Sequence, residues 1–514
     1  MKIAHTLITF LRVFKISSEF FIKKMNSYYI FLISFILLTC MSLVVGIIPV
    51  NNGLGWDGER YFSLATNIFS QGWSSEDPYR AIRLSAFPIL IILKEYNVAT
   101  NTILYTQAVV NAVLLSLSCV ALYKSMLNVN ISKPRSTMGV LLMLLTWPSL
   151  VMTTFYPILT DHAALALSCF ALLAWTAKKN SVLYIILFYS FWVMPSLIFV
   201  PFALLAWPFD EISSHKKVIT NRLATKIATL IALFIVIAYL YKIYSLEILS
   251  IVEYLVTDFT KNKTSLTTSI KWLYPFSIII CAAMLAFSVF KTIIILNNTA
   301  IWKSLKLYSF LFATIVSSMS ILTIFMALDF KTGFTGPSLL KNMLAQSIAA
   351  PLKSIVSHFF YFGPFFILTY FNIINNHKLR LPFAPLIISL AYLPLLVVGS
   401  ESRQWLMVLP SIVLCGMHFN FNRMTGYMLF LISILLLLPS ITLNKFINQA
   451  INSNDGFQDY TWQNYFAYQG PWLNTGFYSL GVILLTLFIL FILLSKKTRS
   501  RNDLKASDKK NVNC

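Results

Sequence analysis

Residues 28–65 read YYIFLISFILLTCMSLVVGIIPVNNGLGWDGERYFSLA. The part from 28 to 50 carries no charge and is long enough to cross a bilayer, whose hydrocarbon core takes about 20 apolar residues in a helix. Directly after it come Asn51, Asn52, three closely spaced glycines and the acids Asp57 and Glu59. A membrane-crossing helix that opens onto a polar, acid-bearing loop is therefore the unit from which the rest of the chain is read.

Apolar runs recur to the end of the 514 residues, of which 58% are hydrophobic, 15% aromatic and 11% charged. The mean hydropathy is +0.74. Soluble domains carry about 25% charged residues, and so few charges cannot cover a folded surface of this size, which excludes a soluble globular protein. The runs predict an all-α, polytopic transmembrane bundle of about 12–14 spans. The count is 14 if 181–193 and 195–207, divided by Pro195, form two crossings around a turn in a protein-lined cavity. Residues 137–159 and 351–373 each read as one span. Cys40, Cys119, Cys169, Cys281 and Cys415 fall inside apolar runs and read as packing residues rather than a disulfide framework.

The formal charge is +22, which in a soluble chain would point to nucleic acid. With 14 crossings, the segments on one side hold 27 of the 40 Lys+Arg and 5 of the 18 Asp+Glu. By the positive-inside rule that side is cytoplasmic and carries both termini, so the charge sets orientation, binds anionic headgroups and implies no nucleic-acid partner. Residues 1–27 read as a cytoplasmic amphipathic helix on the membrane surface, with Ile3, Leu7, Phe10, Leu11 and Phe14 among basic residues. Residues 28–495 form one membrane domain, with a first outer loop at 51–101 and an aromatic outer loop at 444–473; residues 496–514 are a basic cytoplasmic tail.

Ionisable residues beside a membrane are costly and therefore mark candidate sites. Three outer segments supply the candidates. In the first loop Asp57 either caps a helix or faces a cavity, with Glu59 close by and Trp56 and Tyr61 flanking the pair. Tyr61, Leu64, Ala65 and Ile68 give an apolar face that would lie on the membrane surface. Further on, Arg80 and Arg83 stand three apart beside Tyr79, a fork for a phosphate or an anchor to lipid headgroups. Asp161 and His162 open a span on a short outer turn, where capping is the alternative role. Glu401 and Arg403 are the charges of a third turn, where an internal ion pair is the alternative. The aromatic and amide residues of 444–473 suit either sugar stacking or an interfacial belt, and His358, in mid-span, reads as a packed, hydrogen-bonded histidine. No zinc-ligand spacing, P-loop or GxSxG motif occurs.

Carboxylates and guanidiniums in an outer membrane cavity suit transfer of a sugar from a lipid phosphate: one carboxylate takes the acceptor proton while arginine holds the departing phosphate. The segments GWDGERYFSLA, DPYRAIRLSAFPIL, YPILTDHAALAL and ESRQWLMVLP also resemble the large bacterial membrane glycosyltransferases of the C superfamily, relatives of polyprenyl-phosphate-dependent mannosyl and arabinosyl transferases. The resemblance covers about 200 N-terminal residues and the Glu401 region. It implies Asp57 as general base, Glu59 as the second acid of the motif and Asp161 as the acid that opens the fourth span. Arg80, Arg83 and Arg403 would bind the donor phosphate, and Trp56, Tyr61, Tyr79, His162 and Glu401 would line the substrate. It further implies a polyprenyl-phosphate sugar as donor, a cell-surface glycan or glycolipid as acceptor, and the bacterial inner membrane as location. Because Gly58 separates the two acids, no obligatory metal is expected. The competing readings are an O-antigen or exopolysaccharide polymerase or ligase, which commonly concentrates its polar loops in the middle or C-terminal half, and a lipid-linked-sugar flippase, which calls for charges within spans and an internal repeat.

Overall fold

The computed structural model describes residues 25–66, 68, 78–209, 222–245, 273–297, 299–327, 343–375, 381–456, 459–466, 468, 470, 473 and 475–511. Among these every regular element is helical. The expected amphipathic helix of residues 1–27 lies almost wholly outside the described residues, as do much of the outer stretches near 246–271 and 329–350 and parts of 444–473.

Among the described residues seven helices are long and apolar enough to cross a membrane: Ser27–Val45, Thr100–Asn128, Thr225–Ser245, Tyr274–Leu296, Leu307–Met326, Met424–Ser453 and Gly476–Leu494. Several of them turn large apolar side chains outward, among them Leu43, Leu230, Phe234, Tyr308, Met326 and Leu494, as helices that face lipid do. The chain is a multi-pass membrane protein.

Among the described residues that gives seven, or eight with the bent pair below taken as one span, against the 12–14 read from the sequence, and proline and glycine account for much of the difference. The run 137–159 is a pair of helices, Lys133–Leu144 and Trp147–Phe155, bent by 73°. Pro148 sits in the first turn of the second helix, where its missing N–H loses no bond. The run 351–373 likewise divides into Lys353–Phe362 and Pro364–Asn375 around Gly363, whose φ of +81° suits glycine. Three further apolar helices, Asp161–Thr176, Asn180–Val193 and Phe383–Val398, are 14 to 16 residues long. At 1.5 Å per residue the longest of them reach about 24 Å, short of a hydrocarbon core of about 30 Å.

The short helices nevertheless run from one end of the bundle to the other. Helix Asp161–Thr176 begins beside the first outer loop and ends at Trp175, whose indole N–H donates to the carbonyl of Trp207 at 2.8 Å. Trp207 in turn donates to the carbonyl of Ile301 at 2.9 Å, so three connections meet at this far end. Between them, Asn180–Val193 climbs back: Ser85 of the first outer loop donates to the carbonyl of Trp192, and Tyr189 donates to the carbonyl of Ser85. After Pro195 the chain returns through Phe199–Ala206 to Trp207. The pair divided by Pro195 is thus two antiparallel helices with their turn at the end that carries the first outer loop. Pro195 imposes the break, since it cannot extend the preceding helix.

Candidate active site

The site begins where the first membrane helix ends. Gly46 has φ +76°, and the N–H of Ile48 is bonded to the carbonyl of Phe155 at 2.8 Å. Asn51 and Asn52 then take left-handed conformations at φ +50° and +53°, which asparagine tolerates better than other side chains. Gly55 follows at φ +66° and opens the helix Gly55–Thr66. A side chain could not replace its hydrogen, because a Cβ would stand 2.3 Å from the ring of Tyr156. That close approach delivers the Tyr156 hydroxyl to the helix start, where it accepts the N–H of Asp57 at 2.6 Å and of Gly58 at 3.3 Å. The capping role is therefore filled by a tyrosine from the opposite turn, and the Asp57 side chain is left for other work.

That side chain joins two guanidiniums. Arg80 Nη2 reaches Asp57 Oδ1 at 2.7 Å, and Arg403 Nη2 reaches Oδ2 at 2.6 Å. Arg403 is itself anchored by Glu401, whose Oε1 takes its Nε–H at 2.8 Å while Oε2 accepts from Gln404 at 2.8 Å. The ion pair expected within the 401–403 turn is thus present, but it serves to aim Arg403 across the bundle. All three charged side chains keep some exposure, 19% for Asp57, 26% for Arg80 and 24% for Arg403, so the cluster is only partly enclosed. Burial works against the Asp57 charge, and Arg403 and Arg80 more than offset it, holding the carboxyl well below its usual range. Burial likewise opposes the charge on Arg403, and Asp57, Glu401 and Asp161 overcome it, so this guanidinium stays charged.

Asp161 lies behind this cluster. It is buried in the first turn of its helix, receives the hydroxyl of Tyr361 at 3.4 Å, and has Arg403, Arg83, Asp57 and Glu401 within electrostatic range. Arg80 and Arg83 do not form a single fork: Arg80 binds Asp57, and Arg83 adds its charge on the Asp161 side.

Other expected positions fall elsewhere. Glu59 is exposed and accepts from Asn51 Nδ2 at 2.7 Å, away from Asp57. Two positions along a helix amount to about 200° of rotation, so the two acids of the motif face opposite ways. Tyr61 is buried against Phe87, with ring centres 5.0 Å apart, and Trp56 packs on Trp462, Tyr465 and Phe466; both hold the loop together. His162 is buried with Nε2 3.2 Å from the carbonyl of Tyr156, and so fixes the turn that carries the capping hydroxyl. The side chain of Tyr79 lies outside the described residues. Within 444–473, the rings of Trp462, Tyr465, Phe466 and Tyr468 are buried, and Tyr468 stacks on Trp147 at 3.7 Å. These four rings form packing, and Phe457, Gln458, Gln469 and Trp472 of the same stretch lie outside the described residues. Among the described residues no three His, Cys, Asp or Glu side chains gather in a way that would hold a metal ion.

Two contributors escaped the sequence reading. Tyr156 and Tyr361 sit in apolar surroundings where a hydroxyl leaves no signal, although Tyr156 stands only five positions before Asp161. His358 is the packed histidine its mid-span position suggests, but its partners give it a role. Its Nε2 lies 2.8 Å from the carbonyl of Leu396, which can only accept, so Nε2 carries the proton and Nδ1 takes the Ser402 hydroxyl at 2.8 Å. It thereby secures the residue between Glu401 and Arg403. Comparison with protein-family models, curated proteins and solved structures finds no match to this chain.

Proposed function

We propose that the protein is a membrane glycosyltransferase of the C-superfamily type, moving a sugar from a polyprenyl-phosphate donor to a cell-surface glycan or glycolipid. The observation that supports it most directly is the carboxylate of Asp57 set between Arg80 and Arg403 at one end of a lipid-embedded helical bundle. Such a cluster has both parts the reaction needs. The guanidiniums hold the donor phosphate and stabilise the charge that grows on it as the bond from sugar C1 to phosphate oxygen breaks. A carboxylate removes the hydroxyl proton of the acceptor as its oxygen bonds to C1. Phosphate leaves readily, so no protonated acid is required opposite the base. Asp57 is the base in this reading, and buried Asp161 keeps the guanidiniums charged and oriented. No metal takes part in the scheme. The site lies on the outer face of a bacterial plasma membrane with both termini cytoplasmic, the orientation given by the positive-inside rule.

The test is analysis of the surface glycan in a strain lacking the protein. Loss of one sugar or branch at unchanged chain length is the expected result; shortened chains would replace this reading with a polymerase. In reconstituted vesicles, Arg80→Ala should raise the apparent KM for the lipid-linked donor about tenfold, the value of one charge-assisted hydrogen bond. Arg83→Ala, acting from the Asp161 side, should raise it less. Equal KM values for wild type and both variants would reduce the two arginines to headgroup anchors.

A further inference from the structure

A base gripped by two arginines is a weak base, and this tension within the proposed reaction has a structural resolution. Arg80 and Arg403 approach the two oxygens of Asp57 separately, one from a short helix of the first outer loop and the other from the 401–403 turn, with Arg403 346 positions after Asp57 along the chain. Together they form a seat for an anion with two oxygens. A phosphodiester of a sugar and a lipid offers two non-bridging oxygens and one negative charge, as a carboxylate does, so it can replace Asp57 in the seat without changing the charge facing the arginines. The partial exposure of all three side chains leaves the seat open to such exchange.

We infer that Asp57 is the resident occupant of an anion seat built by Arg80 and Arg403, and that the phosphate of an incoming ester displaces it, so that the carboxylate becomes available as a base only while the donor is bound. This rests on the glycosyltransferase reading for the identity of the ester. Once displaced, Asp57 loses its two cations and gains proton affinity where the acceptor hydroxyl must lose its proton. The proton passes to the carboxylate as the acceptor oxygen bonds to C1. The C1–O bond to phosphate breaks, and the lipid phosphate stays on the guanidiniums with the charge it gains. When it leaves, Asp57 gives its proton to water and returns to the arginines.

The competition gives a test that does not depend on sugar transfer. Farnesyl phosphate and inorganic phosphate are titrated into detergent-purified wild type, Asp57→Asn, Asp57→Glu and Arg403→Gln. Removing the resident carboxylate should tighten binding of farnesyl phosphate about tenfold in Asp57→Asn, the scale of ordinary coupling between competing ligands. Asp57→Glu, which keeps a competing carboxylate, should bind like wild type, and Arg403→Gln should bind more weakly. A matching gain for inorganic phosphate shows that the seat reads phosphate alone; a gain for farnesyl phosphate only shows that the lipid part is also read. Either supports the exchange. Equal or weaker farnesyl phosphate binding by Asp57→Asn overturns it, because Asp57 would then be organising the arginines rather than competing for them. Carboxyl footprinting of the unmodified protein is independent of any variant's folding: labelling of Asp57 should rise with saturating farnesyl phosphate, and unchanged labelling also overturns the exchange. Absence of sugar transfer by wild type would count against the function and leave the competition standing.

Discussion

Asp57→Asn is expected to lower sugar transfer by about 10²- to 10⁴-fold, the range associated with losing a positioned general base. The substitution keeps shape and removes charge, so the protein should still insert and accumulate in the membrane. The loss falls on the catalytic rate and not on donor binding, which should tighten, because Arg80 and Arg403 remain to hold phosphate and no carboxylate competes for them. The measurement is transfer to a defined acceptor in reconstituted vesicles, with membrane abundance checked in parallel. Activity within a few-fold of wild type would remove Asp57 from the role of base and leave buried Asp161 as the next carboxylate to test.

Gly55→Ala should be the most damaging of the small substitutions in the loop. At φ +66° an alanine is strained by about 1–2 kcal/mol, and its Cβ would lie 2.3 Å from the Tyr156 ring, which must move. Moving that ring also withdraws its hydroxyl from the N–H groups of Asp57 and Gly58, so the total loss should be about 3 kcal/mol. Thermal unfolding in detergent reads this directly. Tyr156→Phe separates the contributions: it keeps the ring and removes only the hydroxyl, and should cost about 1–2 kcal/mol. If Gly55→Ala melts with wild type, the close approach of Tyr156 does not shape the loop.

The membrane character was legible because hydrophobic length is a local property, visible in a stretch such as 28–50. Where helices break was partly legible: Pro195 announced a turn, whereas the bend before Pro148 and the division at Gly363 were hidden inside continuous apolar runs. The charged residues stood out because such residues are rare here, and Asp57, Arg80, Glu401, Arg403 and Asp161 do converge. Which acid pairs with which arginine was not legible, since a contact over 346 positions is set by how the bundle packs. The orientation of Glu59 was within reach, because helix periodicity alone places it opposite Asp57. Tyr156 was beyond reach, because nothing in sequence distinguishes a tyrosine that packs from one that bonds two backbone N–H groups.

The distance between Asp57 and Arg403 along the chain also bears on biogenesis. Synthesis at about 5–20 residues per second means that the acid emerges on the order of tens of seconds before its distant cation. During that interval Arg80, supplied by the same loop, is its counter-charge, and the seat is only half built. A chain that stalls or is cut short before residue 403 therefore carries the acid with only one of its two cations, so the cluster is completed only after most of the bundle has been made.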